Sequence, residues 1–374
     1  MKLLIISHTE HYKTPDGRVM GWGPTITEIN HLTAIFEEIY HCAPLHKGTP
    51  PGSSMPYESD RIKFIPLKPS GGKSIIKKLS VLKVAFHNLS IIRNTMKKAD
   101  IFQFRAPTGM GVYMIPWLMF FSGKKGWFKY AGNWEHPAPP LSYRIQKYYL
   151  IKNRKFPVTI NGVWPGQPLH CISFENPCLT ADDVKSGEMV MQNKDYGGKL
   201  DLIFVGRLDR AKGVHKILEV LSLINSGRIG TVHLVGDGRE REVFENEAKK
   251  IKYNIIFHGF LPRSDVFELY KRSHIFILPS ESEGFPKVLA EAANFGCIPV
   301  VSDISCLSDY VKPDESGWLF DVKSGVLFKQ KMEDLLQKDG ALLKKMAENI
   351  QKQSNLFTFE YYNNRIKNDI LKIE

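Results

Sequence analysis

Short apolar runs typical of strands alternate with helix-like segments along the whole chain, and this alternation constrains the possible folds more than any other feature. The first half contains the runs KLLIIS, EIYHCAP, RIKFIPL, DIFQFRA, WFKYAG, FPVTIN and HCISFE. The second half contains DLIFVG, TVHLVG, NIIFHG, IFILPS, IPVVSD and GWLFD. Strands that are separated by helices pair in parallel, with helices covering both faces of the sheet. The sequence therefore predicts an α/β fold of doubly wound parallel sheets.

The two sets of runs indicate two domains, for which 374 residues are sufficient. Between the sets lies TADDVKSGEMVMQNKDYGGK, residues 180–199, which is polar, contains glycine and has no periodicity, and which we interpret as a linker. We accordingly expect a first domain over residues 1–185 and a second over 195–350. The C-terminal segment is expected to be helical, with a break near Phe357.

The N-terminus and the cysteines both favour a cytosolic chain. Only five apolar residues precede Ser7, which is too short for the core of a signal peptide and suits a first buried strand. The five cysteines are odd in number, are scattered and include no CxxC pair, so neither a disulfide framework nor a zinc site is indicated. We expect them to be small buried residues: Cys42, Cys171, Cys178, Cys297 and Cys306.

Positive charge is concentrated in the first half of the chain. Residues 61–155 contain 19 Lys and Arg against two acidic residues, whereas the whole chain has a net charge of +12. Within this stretch, residues 70–100 place apolar residues at helical spacing among lysines, as in a basic amphipathic helix or helix pair. Anionic lipid headgroups and a solvated face that only aids solubility are equally compatible with this pattern, whereas nucleic acid is disfavoured because no recognition motif accompanies it.

A second apolar run, VYMIPWLMFF at residues 112–121, has only ten residues and cannot cross a bilayer as a helix. We favour a buried helix over a segment that dips into a membrane, because an element between two strands must cover the sheet.

The segment PSESEGFPKVLAEAANFGCIPVVSD, residues 279–303, predicts a loop and a helix between two buried strands. Pro286 suits the first helical position and Gly296 suits the end of the helix. The loop and the helix N-terminus would lie at the carboxyl edge of the sheet, where phosphate can be bound. Glu283 and Glu291 are close enough along the chain to accept hydrogen bonds from hydroxyls of one elongated ligand, such as a nucleotide sugar.

Two cations precede this segment in DLIFVGRLDRAKGVHKILEVL. Arg207 follows a strand and Lys212 precedes a helix, an arrangement that suits a diphosphate, although each alone would more often be an ordinary surface residue. Gly236, in LVGDGRERE, indicates a turn that opens a helix and is a candidate for the donor site. In FHGFLPRSDV the backbone around Phe260 follows a strand end and is expected to pair with a nucleotide base edge.

The first domain contains polar and glycine-rich loops that suit a sugar or phosphate ligand. Gly21 and Gly23 directly precede a helix, where small residues allow a ligand to approach the main chain. The fingerprint GxGxxG does not follow the first strand. A Pro-rich loop after the strand WFKYAG combines polar and aromatic groups suited to a sugar, although an ordinary loop fits equally well: Asn133, Trp134, Glu135 and His136. Arg105 has a similar position after DIFQF.

Taken together, GRL with KG at 212–213, GDG at 236–238, HGF at 258–260 and the segment 279–303 resemble the successive motifs of the retaining GT-B glycosyltransferases of family four, also described as glycosyl transferases group 1. The resemblance covers about 150 residues of the second half. The glycine loop, RAPTG and GNW of the first half are similar, at a coarser level, to bacterial surface-polysaccharide transferases.

This resemblance implies two Rossmann-like doubly wound domains facing a cleft, with a C-terminal helix over residues 357–374 that joins the first domain. Arg207 and Lys212 match the pair that holds the donor diphosphate. Glu291 matches the carboxylate on the ribose, and Glu283 the one on the transferred sugar. Further contacts are implied for the amides of Gly284 and Phe285, where the neighbouring Pro286 replaces a frequent glycine and removes one donor; His136 is the candidate catalytic histidine, with Glu135 as the second choice.

The implied reaction is transfer of a sugar, with retention of configuration, from a nucleoside diphosphate sugar to a hydroxyl of a saccharide or lipid-linked acceptor. Such an enzyme would need neither a metal nor a cofactor, would bind no nucleic acid, and would work in the cytoplasm or peripherally on the inner membrane face in capsule or surface-polysaccharide assembly. Acceptors bind in the first domain of this family, where Arg105, Asn133, Trp134 and Glu135 are the candidates. A nucleotide-sugar hydrolase or epimerase of the same fold and a non-catalytic binding protein are the alternatives.

Overall fold

The computed structural model describes residues 1–70 and 75–372, with side chains described outside 71–82. The chain divides into two compact units, one built from Met1–Glu175 together with Tyr362–Glu374 and the other from Asn176–Tyr361. The boundary therefore falls before the residue 185 that the sequence suggested, and the chain from Tyr362 onward belongs to the first unit.

Among the described residues the first unit forms a ten-stranded sheet. Its strands are β1 (Lys2–Ile6), β2 (His11–Lys13), β3 (Val19–Trp22), β4 (Glu38–His46), β5 (Ser54–Pro56), β6 (Ile62–Leu67), β7 (Ile101–Ala106), β8 (Lys125–Tyr130), β9 (Val158–Ile160) and β10 (Cys171–Ser173). Their order is β10-β9-β8-β7-β1-β4-β2-β3-β5, with β6 paired to β4. The seven predicted strands are confirmed and pair in parallel. Short strands β2, β3 and β5 were not predicted, and β3 is antiparallel to both of its neighbours.

Four helices of the first unit connect these strands: α1 (Gly23–Leu32), α2 (Ile75–Met96), α3 (Gly111–Phe121) and α4 (Leu141–Lys152). The sheet is buried on both faces. Successive side chains of β1 point to opposite faces, so that Leu4 and Ile6 join one apolar cluster with α2 and α3, whereas Leu3 and Ile5 join another with α1. A doubly wound first unit is confirmed.

The second unit contains a parallel sheet of six strands among its described residues: β11 (Leu200–Val205), β12 (Ile229–Val235), β13 (Ile255–Gly259), β14 (Ile275–Leu278), β15 (Ile298–Ser302) and β16 (Trp318–Phe320). All six were predicted. Their order, β13-β12-β11-β14-β15-β16, places the first and fourth strands of the unit side by side. The connections after these two strands lead in opposite directions, which opens a crevice at their carboxyl ends.

The helices of the second unit are α5 (Ala181–Asn193), α6 (Val214–Leu223), α7 (Arg241–Ala248), α8 (Arg263–Arg272), α9 (Lys287–Asn294), α10 (Leu307–Tyr310), α11 (Gly325–Gln337) and α12 (Gly340–Gln351), with 3₁₀ turns at Arg210–Lys212 and Ser354–Phe357. The last helix, α13 (Phe359–Arg365), continues as a π-helical segment over Ile366–Leu371. The predicted interruption near Phe357 is the second 3₁₀ turn.

The expected linker over residues 180–199 is wrong, because its first part is helix α5. Thr180 accepts a hydrogen bond from the Asp183 amide, and the Asp183 side chain accepts one from the Thr180 amide, which together form a capping box. The glycine in this helix, Gly187, packs against Asn294 of α9. The polar composition reflects a helix with one buried face.

The apolar run at 112–121 forms helix α3, as predicted, but only one side of it is buried. Met114 and Ile115 are fully buried, whereas Phe120 and Phe121 are 67% and 73% exposed.

Helix α2 confirms a helix in the basic stretch, although the side chains of residues 71–82 lie outside the described part. No helix in the described ranges is long and apolar enough to cross a membrane.

Candidate functional site

The loops that follow β11 and β14 lie against each other at the carboxyl edge of the second sheet. Gly213 has a φ of 79°, and a Cβ atom there would lie 2.1 Å from the carbonyl oxygen of Pro279. The amide of Glu281 donates a hydrogen bond of 3.0 Å to the carbonyl of Ala211. Because only glycine fits this contact, the chain holds the two loops in a fixed register.

This register brings two predicted site residues together. The Lys212 ammonium lies 2.5 Å from a carboxylate oxygen of Glu283, and their side chains are 22% and 11% exposed. An ammonium has three donors, so Lys212 retains donors for a second anion while it is bonded to Glu283. The pair is thus a partly buried, charged contact at the mouth of the crevice.

Arg207, by contrast, is open to solvent. Its side chain is 72% exposed, and its guanidinium lies 3.2 Å from an Asp209 carboxylate oxygen. The Asp209 side chain also accepts a hydrogen bond from the Lys212 amide and thereby caps the 3₁₀ turn. Arg207 and Lys212 therefore lie in the same loop after β11. The Arg207 side chain is exposed to solvent, and the Lys212 side chain is bonded to Glu283.

The loop at 283–286 presents backbone donors beside this pair. Within the described part of the chain, the amides of Gly284 and Phe285 donate no hydrogen bond. The Gly284 carbonyl accepts one of 2.6 Å from the Ser305 hydroxyl, and the Phe285 ring stacks on Phe357 at 4.9 Å, so the loop is anchored from behind. Pro286 is the N-cap of α9 and contributes no donor.

Glu291 lies on α9, more than one helical turn beyond this loop. Its side chain is partly buried, and no described residue donates a hydrogen bond to it. Burial raises the pKa of the Glu291 carboxyl, although Arg263 and Lys287 oppose the shift. A partly buried carboxylate without a hydrogen-bond donor destabilises the free protein and is a candidate for ligand binding.

Gly236 and Phe260 complete the predicted donor set at the ends of β12 and β13. Gly236 has a φ of 128°, and a Cβ atom there would lie 1.9 Å from the carbonyl oxygen of Gly206. Its small size therefore serves the packing of two protein loops. Phe260 is 53% exposed and follows Gly259, whose carbonyl accepts a hydrogen bond from the Gly236 amide.

The first-unit glycines also pack against protein groups. A Cβ atom on Gly21 would lie 2.5 Å from the His11 imidazole, and one on Gly23 would lie 2.7 Å from the carbonyl oxygen of Ser53. The Gly23 amide donates a hydrogen bond of 2.9 Å to that carbonyl. The space beside these two glycines is thus filled by protein groups, and their small size serves the packing of the first unit.

In the predicted acceptor loop after β8, the polar and aromatic side chains contact neighbouring protein groups. Trp134 is 3% exposed and packs edge-on against Tyr130, so its ring has no face for a sugar. The Asn133 side chain accepts a hydrogen bond from the Glu135 amide, and the Glu135 carboxylate lies 2.6 Å from the Lys147 ammonium. His136 accepts a hydrogen bond from the Ala138 amide. The start of the loop, Ala131 and Gly132, lines the cavity described next, whereas the four predicted residues after it are not among the lining residues.

A cavity of about 530 Å³ lies at the carboxyl edge of the first sheet, and its lining includes Ser7, His8, Thr9, Arg105 and Tyr143. Of the predicted acceptor residues, Arg105 alone is among these. The sequence reasoning missed the others, although the polar run SHTE directly after the first buried strand is a signal for a strand-end site.

The Arg105 side chain belongs to a buried ionic cluster. One oxygen of Glu28 lies 2.7 Å from the Arg105 guanidinium and 2.7 Å from the Lys129 ammonium, and it accepts a 3.0 Å hydrogen bond from the Tyr362 hydroxyl. Arg105 also donates to Gln103. Its guanidinium is held rigidly where it meets the cavity, because removing it would leave a buried carboxylate with less compensation.

No described residues form a group of three or more His, Cys, Asp or Glu side chains arranged to hold a metal ion. All five cysteines are buried, as predicted. Burial raises the pKa of the Cys42 thiol to about 12 and that of Cys171 to about 11, so both stay protonated at neutral pH.

The architecture defines the class: the chain has the two-unit α/β fold of GT-B proteins. Sucrose-phosphate synthase from Thermosynechococcus elongatus is similar over 98% of this chain and 97% of its own, with a TM-score of 0.69 and 16% identity. Anabaena HepE in complex with UDP is similar over the full length of both chains, with a TM-score of 0.70 and 15% identity. At these identities the likeness shows the fold alone.

Residues 187–353 match the family described as Glycosyl transferases group 1, which is the family that the motifs of the second half resemble. A 41.2 kDa protein from the cps region of Klebsiella pneumoniae is 24% identical over 128 residues, which are 34% of each chain. The lipopolysaccharide 1,6-galactosyltransferase of Escherichia coli is 26% identical over 145 residues, 37% of this chain and 40% of its own. The chain thus spans well under half the length of these curated relatives.

Proposed function

We propose that the protein is a retaining glycosyltransferase that moves a sugar from a nucleoside diphosphate sugar to a hydroxyl of a saccharide or lipid-linked acceptor. The observation that supports this most directly is the Lys212–Glu283 pair, set beside the unbonded amides of Gly284 and Phe285. Cationic side chains and free amides at the carboxyl edge of a parallel sheet are suited to a diphosphate. The family, and the UDP bound to the structural neighbour HepE, support a nucleotide-sugar donor.

In the proposed complex, Lys212 and the exposed Arg207 bind the diphosphate, and the amides of Gly284 and Phe285 assist them. Glu291 accepts hydrogen bonds from the ribose hydroxyls, which supply the donors that its carboxylate lacks in the free protein. Glu283 accepts hydrogen bonds from the transferred sugar. Each of these roles uses a group whose hydrogen-bonding capacity is at least partly unused by protein.

The proposed chemistry depends on stabilisation of the leaving group. As the bond between the sugar and the diphosphate breaks, negative charge grows on the phosphate oxygen and is stabilised by Lys212, Arg207 and the amides, without a metal ion. Glu283 is already bonded to Lys212, which lowers its value as a nucleophile. The departing phosphate oxygen takes the proton of the acceptor hydroxyl. The acceptor oxygen then bonds to the anomeric carbon on the face that the phosphate leaves, so the anomeric configuration is retained.

We propose capsule or surface-polysaccharide assembly as the pathway. One similar protein is described as lying in a cps region, and another is described as a lipopolysaccharide galactosyltransferase. We also propose a cytoplasmic protein that associates peripherally with anionic membrane. Phe120 and Phe121 are exposed at the end of α3, and Lys124, three residues further on, donates a hydrogen bond from its ammonium to the Ala99 carbonyl, which follows Lys97 and Lys98. An apolar tip beside lysines is typical of interfacial binding.

A thermal-shift screen of nucleoside diphosphates and nucleotide sugars tests the donor, because a ligand that binds only the native state raises the melting temperature. The matching sugar is then incubated with saccharide and lipid-linked acceptor fractions, with and without EDTA. We expect nucleoside diphosphate release that depends on acceptor and persists in EDTA, and a product whose anomeric proton shows the donor's configuration. Release that is independent of acceptor would instead indicate a hydrolase.

A further inference from the structure

A chain of four hydrogen-bonded side chains runs from the first-unit cavity into the protein. The Ser7 hydroxyl lies 2.8 Å from Nε2 of His41, and Nδ1 of His41 lies 2.7 Å from the Tyr57 hydroxyl. The same hydroxyl lies 2.8 Å from Nε2 of His11, whose Nδ1 lies 2.8 Å from the carbonyl oxygen of Thr9. Ser7, His11 and His41 are at most 1% exposed, and Ser7 and Thr9 line the cavity.

The protons of this chain have one consistent order when both histidines are neutral. Burial lowers the pKa of His11 to about 4, and burial with the nearby Arg105 charge lowers the pKa of His41 well below its usual value, so each ring has a single N–H at pH 7. The Thr9 carbonyl can only accept, and therefore Nδ1 of His11 donates and its Nε2 is bare.

The remaining positions follow from that end. The single proton of Tyr57 is donated to the bare Nε2 of His11, so the Tyr57 oxygen must accept from Nδ1 of His41. Nε2 of His41 is then bare and accepts the proton of Ser7. The Ser7 hydroxyl proton therefore points into the protein, towards His41. The Ser7 oxygen also accepts a 3.2 Å hydrogen bond from the Thr9 amide, so one lone pair remains to accept a hydrogen bond from a ligand.

We propose that the chain Tyr57–His41–Ser7, fixed by His11, makes Ser7 an obligate hydrogen-bond acceptor, and that the cavity binds a sugar hydroxyl there. The Arg105 guanidinium on the same cavity only donates. A hydroxyl, which donates and accepts, can satisfy both, whereas an ether, carbonyl or phosphate oxygen would face Ser7 acceptor to acceptor. Tyr57, His41 and His11 are positioning residues, and Ser7 is the group that touches the ligand.

Gly21 is explained by the same chain. A Cβ atom on Gly21 would lie 2.5 Å from Nε2 of His11 and 2.7 Å from Ile26, so that a larger residue displaces the imidazole. Gly21, the first of the two glycines before α1, therefore leaves the space that the His11 imidazole occupies. This inference rests on the proposed function only in treating the first-unit ligand as the saccharide acceptor.

Long-range ¹H–¹⁵N spectra of the full-length protein with labelled histidine read the proton order directly. We expect His41 to be protonated at Nδ1 and bare at Nε2, and His11 likewise. In Tyr57→Phe the acceptor for Nδ1 of His41 is lost, and His41 is expected to shift towards the Nε2–H form. Tyr40→Phe is the matched control. The Tyr40 hydroxyl donates to Glu38 on the same strand and takes no part in the hydrogen bonds among Ser7, His41, Tyr57 and His11. Protonation of His41 at Nε2 in the wild type would overturn the proposal.

The ligand is tested with methyl pyranosides and their monodeoxy counterparts. The His41 Nε2 resonance should move with a parent sugar and fail to move when one particular hydroxyl is removed; Ser7→Ala should abolish that discrimination. In the transfer assay Tyr57→Phe should raise the acceptor KM about three- to tenfold, the range of one neutral hydrogen bond, with donor KM unchanged. Transfer without any His41 response refutes the Ser7 role alone, whereas a His41 response without transfer refutes only the proposed function.

Discussion

Replacing Lys212 with methionine separates its role in ligand binding from its role in stability. The substitution keeps the unbranched stem of the side chain, one atom shorter, but removes the charge that lies 2.5 Å from Glu283. A hydrogen bond to a charged group contributes about 1.5–3 kcal/mol. Since about 1.4 kcal/mol is a factor of ten in an equilibrium constant, we expect the Kd of the nucleoside diphosphate to rise about 10- to 100-fold.

The same change has a cost in the free protein. Removing one partner of a fully buried pair destabilises by about 3–5 kcal/mol, but the Lys212 and Glu283 side chains are 22% and 11% exposed, so solvent reduces the loss to about 1–2 kcal/mol. The double variant Lys212→Met/Glu283→Gln removes the uncompensated carboxylate. It should recover most of the stability while leaving the diphosphate affinity as weak as in Lys212→Met.

Calorimetric titration with the nucleoside diphosphate measures the affinity, and urea unfolding measures the stability. Lys329→Met is the control, because Lys329 forms a 2.7 Å pair with Glu333 on α11, away from the site. We expect the control to bind nucleotide as the wild type does. An unchanged Kd in Lys212→Met would refute the diphosphate role, and a double variant that restores affinity would show that the lysine acts only by neutralising Glu283.

Four further predictions can be checked independently. Burial raises the pKa of Glu291, so Glu291→Gln should stabilise the free protein at pH values above that pKa, and this gain should disappear as the pH falls through it. The same variant should bind nucleotide more weakly. Unchanged stability together with unchanged nucleotide affinity would contradict the proposed binding role of Glu291. His11 has a lowered pKa of about 4, so its contribution to stability is complete above pH 6.5 and is lost as the pH falls towards 4; urea unfolding without a decline over that interval would contradict its burial as a neutral ring. Ellman's reagent should label none of the buried cysteines in native protein and all of them in urea: Cys42, Cys171, Cys178, Cys297 and Cys306. Flotation with anionic liposomes should be salt-sensitive and weakened by Phe120→Ser with Phe121→Ser, whereas binding that these changes leave intact would assign it to charge alone.

The strands were predictable because each is a short apolar run between helical segments, and a buried parallel strand has this signature whatever its partners. The hairpin at β2 and β3 was not, since the residues from His11 to Trp22 alternate too briefly to stand out. Helix α5 could have been found. Thr180 with Asp183 three residues later is a capping signature, but the polar composition of the segment suggested a linker.

The candidate site was predictable in its parts and not in its contacts. Arg207, Lys212, Glu283 and Glu291 stand in recognisable motifs, yet the pairing of Lys212 with Glu283 spans 71 residues and depends on the φ of Gly213. Glycines were the weakest evidence, because a sequence shows that space is needed but does not show what fills it. At Gly236 the space is filled by a backbone carbonyl.

The two units use the same edge of a parallel sheet for different chemistry. In the second unit the strand-end loops present lysine, arginine and backbone amides that donate to no protein group. These donors suit a diphosphate leaving group, which gains negative charge as its bond to the sugar breaks. In the first unit the end of β1 presents Ser7, whose hydrogen-bond direction is set by neutral groups, and Arg105 is already partnered by Glu28. Neutral histidines matter there, because an imidazolium at His41 would donate to Ser7 and turn its proton towards the cavity. The proposed reaction requires a charged site for the leaving group and a neutral site that fixes the hydrogen-bond direction of a hydroxyl. Under that proposal the first unit, although positively charged, buries two uncharged histidines beside its cavity because their neutral rings set the direction of the Ser7 hydroxyl.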